Sequence, residues 1–105
     1  MSKYLFTFNY SPDASKGLLR EGGSHRELIA RKTIEAMGGT LDTLYYAIGP
    51  HDGYFICDFA HEKGVAHGLV MLRANGFTAT SVKLLTAKDM DEAVETSVAY
   101  TPPQG

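Results

Sequence analysis

Residues 44–59, LYYAIGPHDGYFICDF, decide how this chain is read. Two aromatic-rich runs of strand composition meet at Gly49-Pro50-His51-Asp52-Gly53, a joint of turn-forming residues, so a β-hairpin is expected in mid-chain. On either side lies a segment with helical periodicity, and beyond each of these another strand-like run. The order strand, helix, strand, strand, helix, strand describes an α+β domain. It is a split βαβ, or ferredoxin-like βαββαβ, sandwich with an antiparallel sheet and both main helices on one face.

At the start, Tyr4, Phe6, Phe8 and Tyr10 alternate with Lys3, Leu5, Thr7 and Asn9, as a strand with one aromatic face requires. Ser11-Pro12 is a helix entry, and a short helix is expected over 16–21, stopped by Gly22-Gly23. Ser24 and Glu27 have the spacing of a capping box, which predicts a helix from Ser24 carrying Ile29, Ala30, Thr33, Ile34 and Met37 on one stripe. Residues 40–48 alternate Leu41, Thr43, Tyr45 and Ala47 against Asp42, Leu44, Tyr46 and Ile48. Residues 53–59 alternate Tyr54, Ile56 and Asp58 against Phe55, Cys57 and Phe59. Neither strand has a wholly polar face, which implies helices on one side of the sheet and a further cover, a second copy of the sheet, on the other. A second main helix is expected over 61–75, with Val65, Leu69 and Leu72 in line and Ala66 and Val70 beside them, followed by a strand over 77–85. Thr86 and Asp89 repeat the capping-box spacing and open an extra C-terminal helix with Met90, Ala93 and Val94. The whole chain reads as one domain, 1–105, with a core over 1–98 and a proline-containing irregular tail over 99–105.

Bulk composition removes several classes of function. With 105 residues there is room for one domain, and 44% apolar against 21% charged residues is ordinary for a folded globule. A formal charge of −2 provides no broad positive field, which disfavours nucleic acid and anionic lipid as partners. The single cysteine, Cys57, cannot close an internal disulfide, and the start, MSKYLFTFNY, does not read as a leader. A cytoplasmic protein that neither enters nor crosses a membrane is the expectation.

Three stretches carry a resemblance. Tyr10-Ser-Pro with Lys16 to Ser24 (KGLLREGGS), the hairpin Gly49-Pro-His-Asp52, and Leu84 to Ala93 (LLTAKDMDEA) resemble the GYD domain family of small bacterial proteins and together span most of the chain. That family is similar to the dimeric α/β barrels, in which two ferredoxin-like subunits press their sheets together, and it has no agreed activity. The resemblance therefore implies a homodimer and leaves the reaction open. Gly49 and Asp52 match the family hairpin, whereas His51 stands where an aromatic residue, commonly tyrosine, is usual.

Candidate chemistry falls in two groups. Asp52 beside His51 could raise the imidazole pKa and hold its tautomer, making His51 an acid or base and Asp52 its orienter; alternatively Asp52 bonds its own turn and His51 points to water. Asn9, Tyr54 and Asp58 fall on the strand face assigned away from the helices, where they would position a small apolar or aromatic ligand in a barrel pocket, or bond across a dimer seam. His25, His51, His61 and His67 lack the spacing of a metal site, so no metal and no cofactor is expected. Cys57 is expected to be buried and inert. Two functions compete: a small-molecule binding or catalytic barrel, as the resemblance implies, and a non-enzymatic assembly or regulatory module, favoured by the lack of a catalytic constellation.

Overall fold

The computed structural model describes residues 1–104; Gly105, the last residue of the expected tail, lies outside them. The elements run β1 (Ser2–Asn9), α1 (Pro12–Glu21), α2 (Gly23–Ala36), β2 (Gly39–Tyr46), β3 (Gly53–Phe59), α3 (Glu62–Ala74), β4 (Thr78–Leu84) and α4 (Ala87–Ala93). The sheet order is β2-β3-β1-β4 and every pairing is antiparallel, the ferredoxin-like arrangement expected from the element order.

Period-two alternation builds the core. Tyr4, Phe6 and Phe8 of β1 and Phe55, Cys57 and Phe59 of β3 are all buried on one face, where Ile34 of α2 and Val65 of α3 meet them. The intervening residues form the open face in ordered rows. Thr43, Ile56, Leu5 and Val82 lie side by side across the four strands; Tyr45, Tyr54, Thr7 and Thr80 form the next row. This face is apolar only along its centre. Threonines flank that strip, and Lys3 closes one end by pairing with both Asp42 and Asp58, the latter at 3.0 Å.

Four local expectations are corrected. The first helix is longer than 16–21: Pro12 sits in its first turn and the Ser11 hydroxyl accepts from Ala14 N at 3.0 Å, so helix formation starts at the cap. The Ser24–Glu27 capping box does not form. Gly22, at φ 83°, turns the chain directly out of α1, so α2 starts at Gly23 and Ser24 is already inside its first turn. Glu27 instead faces Arg31 one turn on, at 3.7 Å. In β2 a register shift between Leu41 and Thr43 leaves Asp42 as an extra residue, so the strict alternation is broken: Leu41 and Leu44 share the core side, and Thr43 and Tyr45 the open side. On α3, Ala66 and Val70 are exposed rather than packed beside the Val65 line. By contrast the Thr86–Asp89 capping box forms in both directions, at 2.9 and 3.0 Å.

The molecule is long for its size. Its radius of gyration is 17.4 Å and its extents are 58 × 35 × 22 Å, whereas a compact domain of about 100 residues has a radius near ~13 Å. The body is small and the C-terminal segment projects from it: every residue from Leu85 to Gln104 is exposed.

Candidate functional site

Rings laid flat on the helix side of the sheet make a floor. Phe6 stacks on Phe55 with centroids 4.7 Å apart and planes 12° from parallel, and Phe8 sits 6.0 Å from Phe55, 6.0 Å from Tyr10 and 6.2 Å from Phe77. Gly53 is the reason Phe8 can lie there, since a Cβ at that position would stand 2.2 Å from the ring. Above this floor α2 and α3 do not close on each other. Small residues face the gap, Ala30 on α2 and Gly68 on α3, and a Cβ added at Gly68 would meet the Phe6 ring only at ordinary contact distance, 3.7 Å.

The result is a cleft of about 860 Å³ between sheet and helices, within the ~300–1,000 Å³ usual for small-ligand sites. Its inner walls are Ile29, Thr33, Ile34 and Met37 of α2 and Met71 and Leu72 of α3, and Gly17 and Leu18 of α1 close one end. Several polar groups of the lining already have partners, the Thr33 hydroxyl donating to Ile29 O at 2.8 Å on the inner wall. At the mouth the Tyr46 hydroxyl donates to Gly23 O at 3.0 Å, the Tyr10 hydroxyl donates to Asp52 O at 3.4 Å, and Arg26 pairs with Glu21 at 3.2 Å. Burial, ahead of the nearby carboxylates Asp52 and Glu27 respectively, holds the Tyr10 and Tyr46 phenols above the usual tyrosine range. Both stay protonated at physiological pH, and with their hydrogens given to Gly23 O and Asp52 O they present oxygen lone pairs as acceptors. The lining offers apolar surface, aromatic faces and two phenolic oxygens, a chemistry suited to holding a flat or branched apolar molecule with a polar end toward solvent.

The five residues singled out from the sequence lie elsewhere. Asp52 accepts from Tyr10 N at 2.8 Å, and its own N–H donates to Asn9 Oδ1 at 2.8 Å and to Phe8 O at 3.0 Å. Asn9 and Asp52 thus clasp the hairpin turn to the end of β1, and Asp52 touches the cleft only through Tyr10. His51 packs edge-on against Tyr54, with centroids 5.7 Å apart, and among the described residues it makes no hydrogen bond to Asp52. Tyr54 and Asp58 lie on the open face, Asp58 in the Lys3 cluster. The structure therefore joins Asn9 to Asp52 and His51 to Tyr54, and brings none of the five into the cleft. Among the described residues no three His, Cys, Asp or Glu side chains converge as a metal site would need.

Cys57 is fully buried under Tyr4, whose carbonyl lies 3.9 Å from the sulfur, and burial pushes its thiol up to about 12. It is a packing residue. Sequence reasoning missed Tyr10, Tyr46, Arg26 and Glu21 as mouth residues. The signal that was present is the run of small residues, Ala30 and Gly68, at positions facing a sheet of large rings: little side chain there means unfilled space.

A family model described as GYD domain matches residues 4–94. No curated protein and no solved structure gives a significant match.

Proposed function

The chain belongs to the GYD domain family, and from that premise we propose that it binds a small, predominantly apolar or aromatic molecule in the cleft between its sheet and its two long helices. The observation that carries this reading is an 860 Å³ space floored by Phe6, Phe8 and Phe55 and lined mainly by apolar side chains. A core that merely needed filling would close such a gap, because unfilled apolar space costs packing energy. Binding of the apolar part follows from removal of its surface from water, at roughly 25 cal/mol per Å², while Tyr10 and Tyr46 orient a polar end. In this reading the working unit is a homodimer through the open sheet face, centred on Leu5, Ile56 and Val82. Asp52 and Asn9 are positioning residues that hold Tyr10 at the mouth. His51, on the open-face side with Tyr54, is the proton-transfer candidate of that surface.

The test uses native mass spectrometry of the purified protein together with titration of the apolar fluorophore 8-anilinonaphthalene-1-sulfonate. The natural chain is expected to carry or take up about one equivalent per subunit, and Ala30→Phe, which fills the cleft from α2, to lose most of that uptake while keeping its circular dichroism. Equal uptake by both proteins would remove the cleft from the reading.

A second reading, an assembly module without a ligand, is favoured by one observation: the projecting C-terminal segment with its exposed Leu85, Met90 and Val94. Wild-type chain that takes up no probe and yet self-associates would select it.

A further inference from the structure

We infer that the C-terminal arm, Leu85–Tyr100, docks onto a second copy of this chain alongside the open sheet face. This rests on the proposed homodimer for the place of docking, and is independent of whether the cleft holds a ligand.

The arm is built to bind something. Its helix α4 is capped in both directions by Thr86 and Asp89, so it is a defined element rather than a trailing end. Leu85 directly precedes the cap and Met90 is the fourth helical residue, the two positions of a hydrophobic staple, and Val94 lies one turn beyond Met90. This apolar edge is left bare, with Leu85 58%, Met90 51% and Val94 69% exposed, and Val98 and Tyr100 continue it at 77% each. Scattered exposed apolar residues are normal, but a succession of them on one short arm that its own body does not cover marks a contact surface.

The arm also starts in the right place. Thr86 and Asp89 border the same recess as Lys3 and Asp58, which belong to the open face. A copy pressed against that face therefore lies next to the arm. Area gives the second argument. Four strands of about seven residues present a face of roughly 19 × 24 Å, near ~460 Å² in projection, at ~4.8 Å between strands and ~3.4 Å per residue. A stable interface buries ~800 Å² on each partner. Only the central row of that face, Leu5, Ile56 and Val82, is apolar, and an arm reaching past the sheet edge supplies further apolar surface from each copy. Two-fold symmetry makes the arrangement closed, because each copy gives one arm and receives one.

Sedimentation equilibrium of the full chain, of a chain ending at Leu84, and of a full-length Met90→Asp/Val94→Asp variant tests the inference. Natural chain is expected to dimerise, and both altered chains to raise the dimer Kd roughly 10- to 100-fold, the size expected when buried apolar anchors are lost. Their circular dichroism should show an intact body, since the arm contributes nothing to the core. Ile56→Lys separates the two ideas. Natural dimers that fall apart with Ile56→Lys but hold their affinity with both arm variants would overturn the arm's role and leave the sheet interface standing. A natural chain that stays monomeric at all concentrations would overturn both. Cross-linking of mixed isotope-labelled and unlabelled chains adds an independent readout: besides links to Lys3 and Lys83 of its own copy, which border the start of the arm, Lys88 must give links between copies, and links confined to one copy would sink the inference.

Discussion

On the helix side of the sheet, Tyr4, Phe6, Phe8, Phe55, Cys57 and Phe59 are buried and their rings interlock; on the open side, Lys3, Leu5, Thr7, Tyr54, Ile56 and Asp58 are half-buried and held in cross-strand rows. The two sets alternate along the same two strands. They share backbone, hydrogen bonds and register, so differences between them isolate what is done by side-chain burial alone. The helix side supplies the stability of the domain and the boundary of the cleft. The open side contributes little within one copy, and its apolar strip has value where another surface removes it from water.

The largest effect that would sharpen this contrast is Phe6→Ala. Phe6 is 1% exposed and stacked on Phe55, so the truncation is expected to cost ~3–5 kcal/mol, a large share of the ~5–15 kcal/mol that holds a domain together. Urea unfolding followed by circular dichroism measures it, and a loss under 1 kcal/mol would break the contrast. Next is Gly53→Ala, whose added methyl would stand 2.2 Å from a Phe8 ring already hemmed in by Tyr10, Phe55 and Phe77. Overpacking here should cost ~1–3 kcal/mol, and a neutral result would mean the floor of the cleft is soft.

Asp52→Ala removes the acceptor for Tyr10 N and loosens the hairpin from β1. The expected loss is about 1–2 kcal/mol, with weaker probe uptake because Tyr10 loses its anchor. Cys57 provides a pH test. Its thiol is raised to about 12 in the folded chain, against ~8.5 for an exposed cysteine. Its contribution is therefore fully present below the unfolded value and is lost as pH climbs from about 9 toward 12. Denaturant midpoints of the natural chain should fall more steeply over that window than those of Cys57→Ala, and parallel slopes would contradict burial of the thiol. The smallest effect belongs to the open face. Thr7→Ala, which deletes one partner of the Thr7–Thr80 hydroxyl pair, is expected to change stability by less than ~0.5 kcal/mol in the monomer. A larger change seen only at dimer-forming concentrations would assign it to association.

The element order was legible because each strand and helix declares its period locally: Tyr4, Phe6 and Phe8 for β1, and Val65, Leu69 and Leu72 for α3. The C-terminal cap was legible for the same reason, Thr86 and Asp89 being three residues apart and acting on each other's amides. Misreadings came where one backbone angle or one inserted residue overrode a pattern. A positive φ at Gly22 displaced the expected Ser24 cap, and the extra residue Asp42 moved Leu41 to the core side together with Leu44. The cleft left only a faint trace, the small residues Ala30 and Gly68, because whether they leave a gap depends on how far apart α2 and α3 stand. His51 and Asp52 drew attention as neighbours in sequence, yet the hairpin sends one toward Tyr54 and the other toward Tyr10.

What the amino-acid order alone determined is the alternation that makes four strands, the stripes that make two long helices, and their succession as a ferredoxin-like domain of the GYD family. Those follow from interactions within a few residues, where periodicity and capping act. Only the tertiary structure decided that the helices stand apart over a floor of phenylalanines, that Asp42 bulges, and that the last twenty residues leave the body exposed. These depend on how distant side chains share volume, a quantity that no local pattern contains.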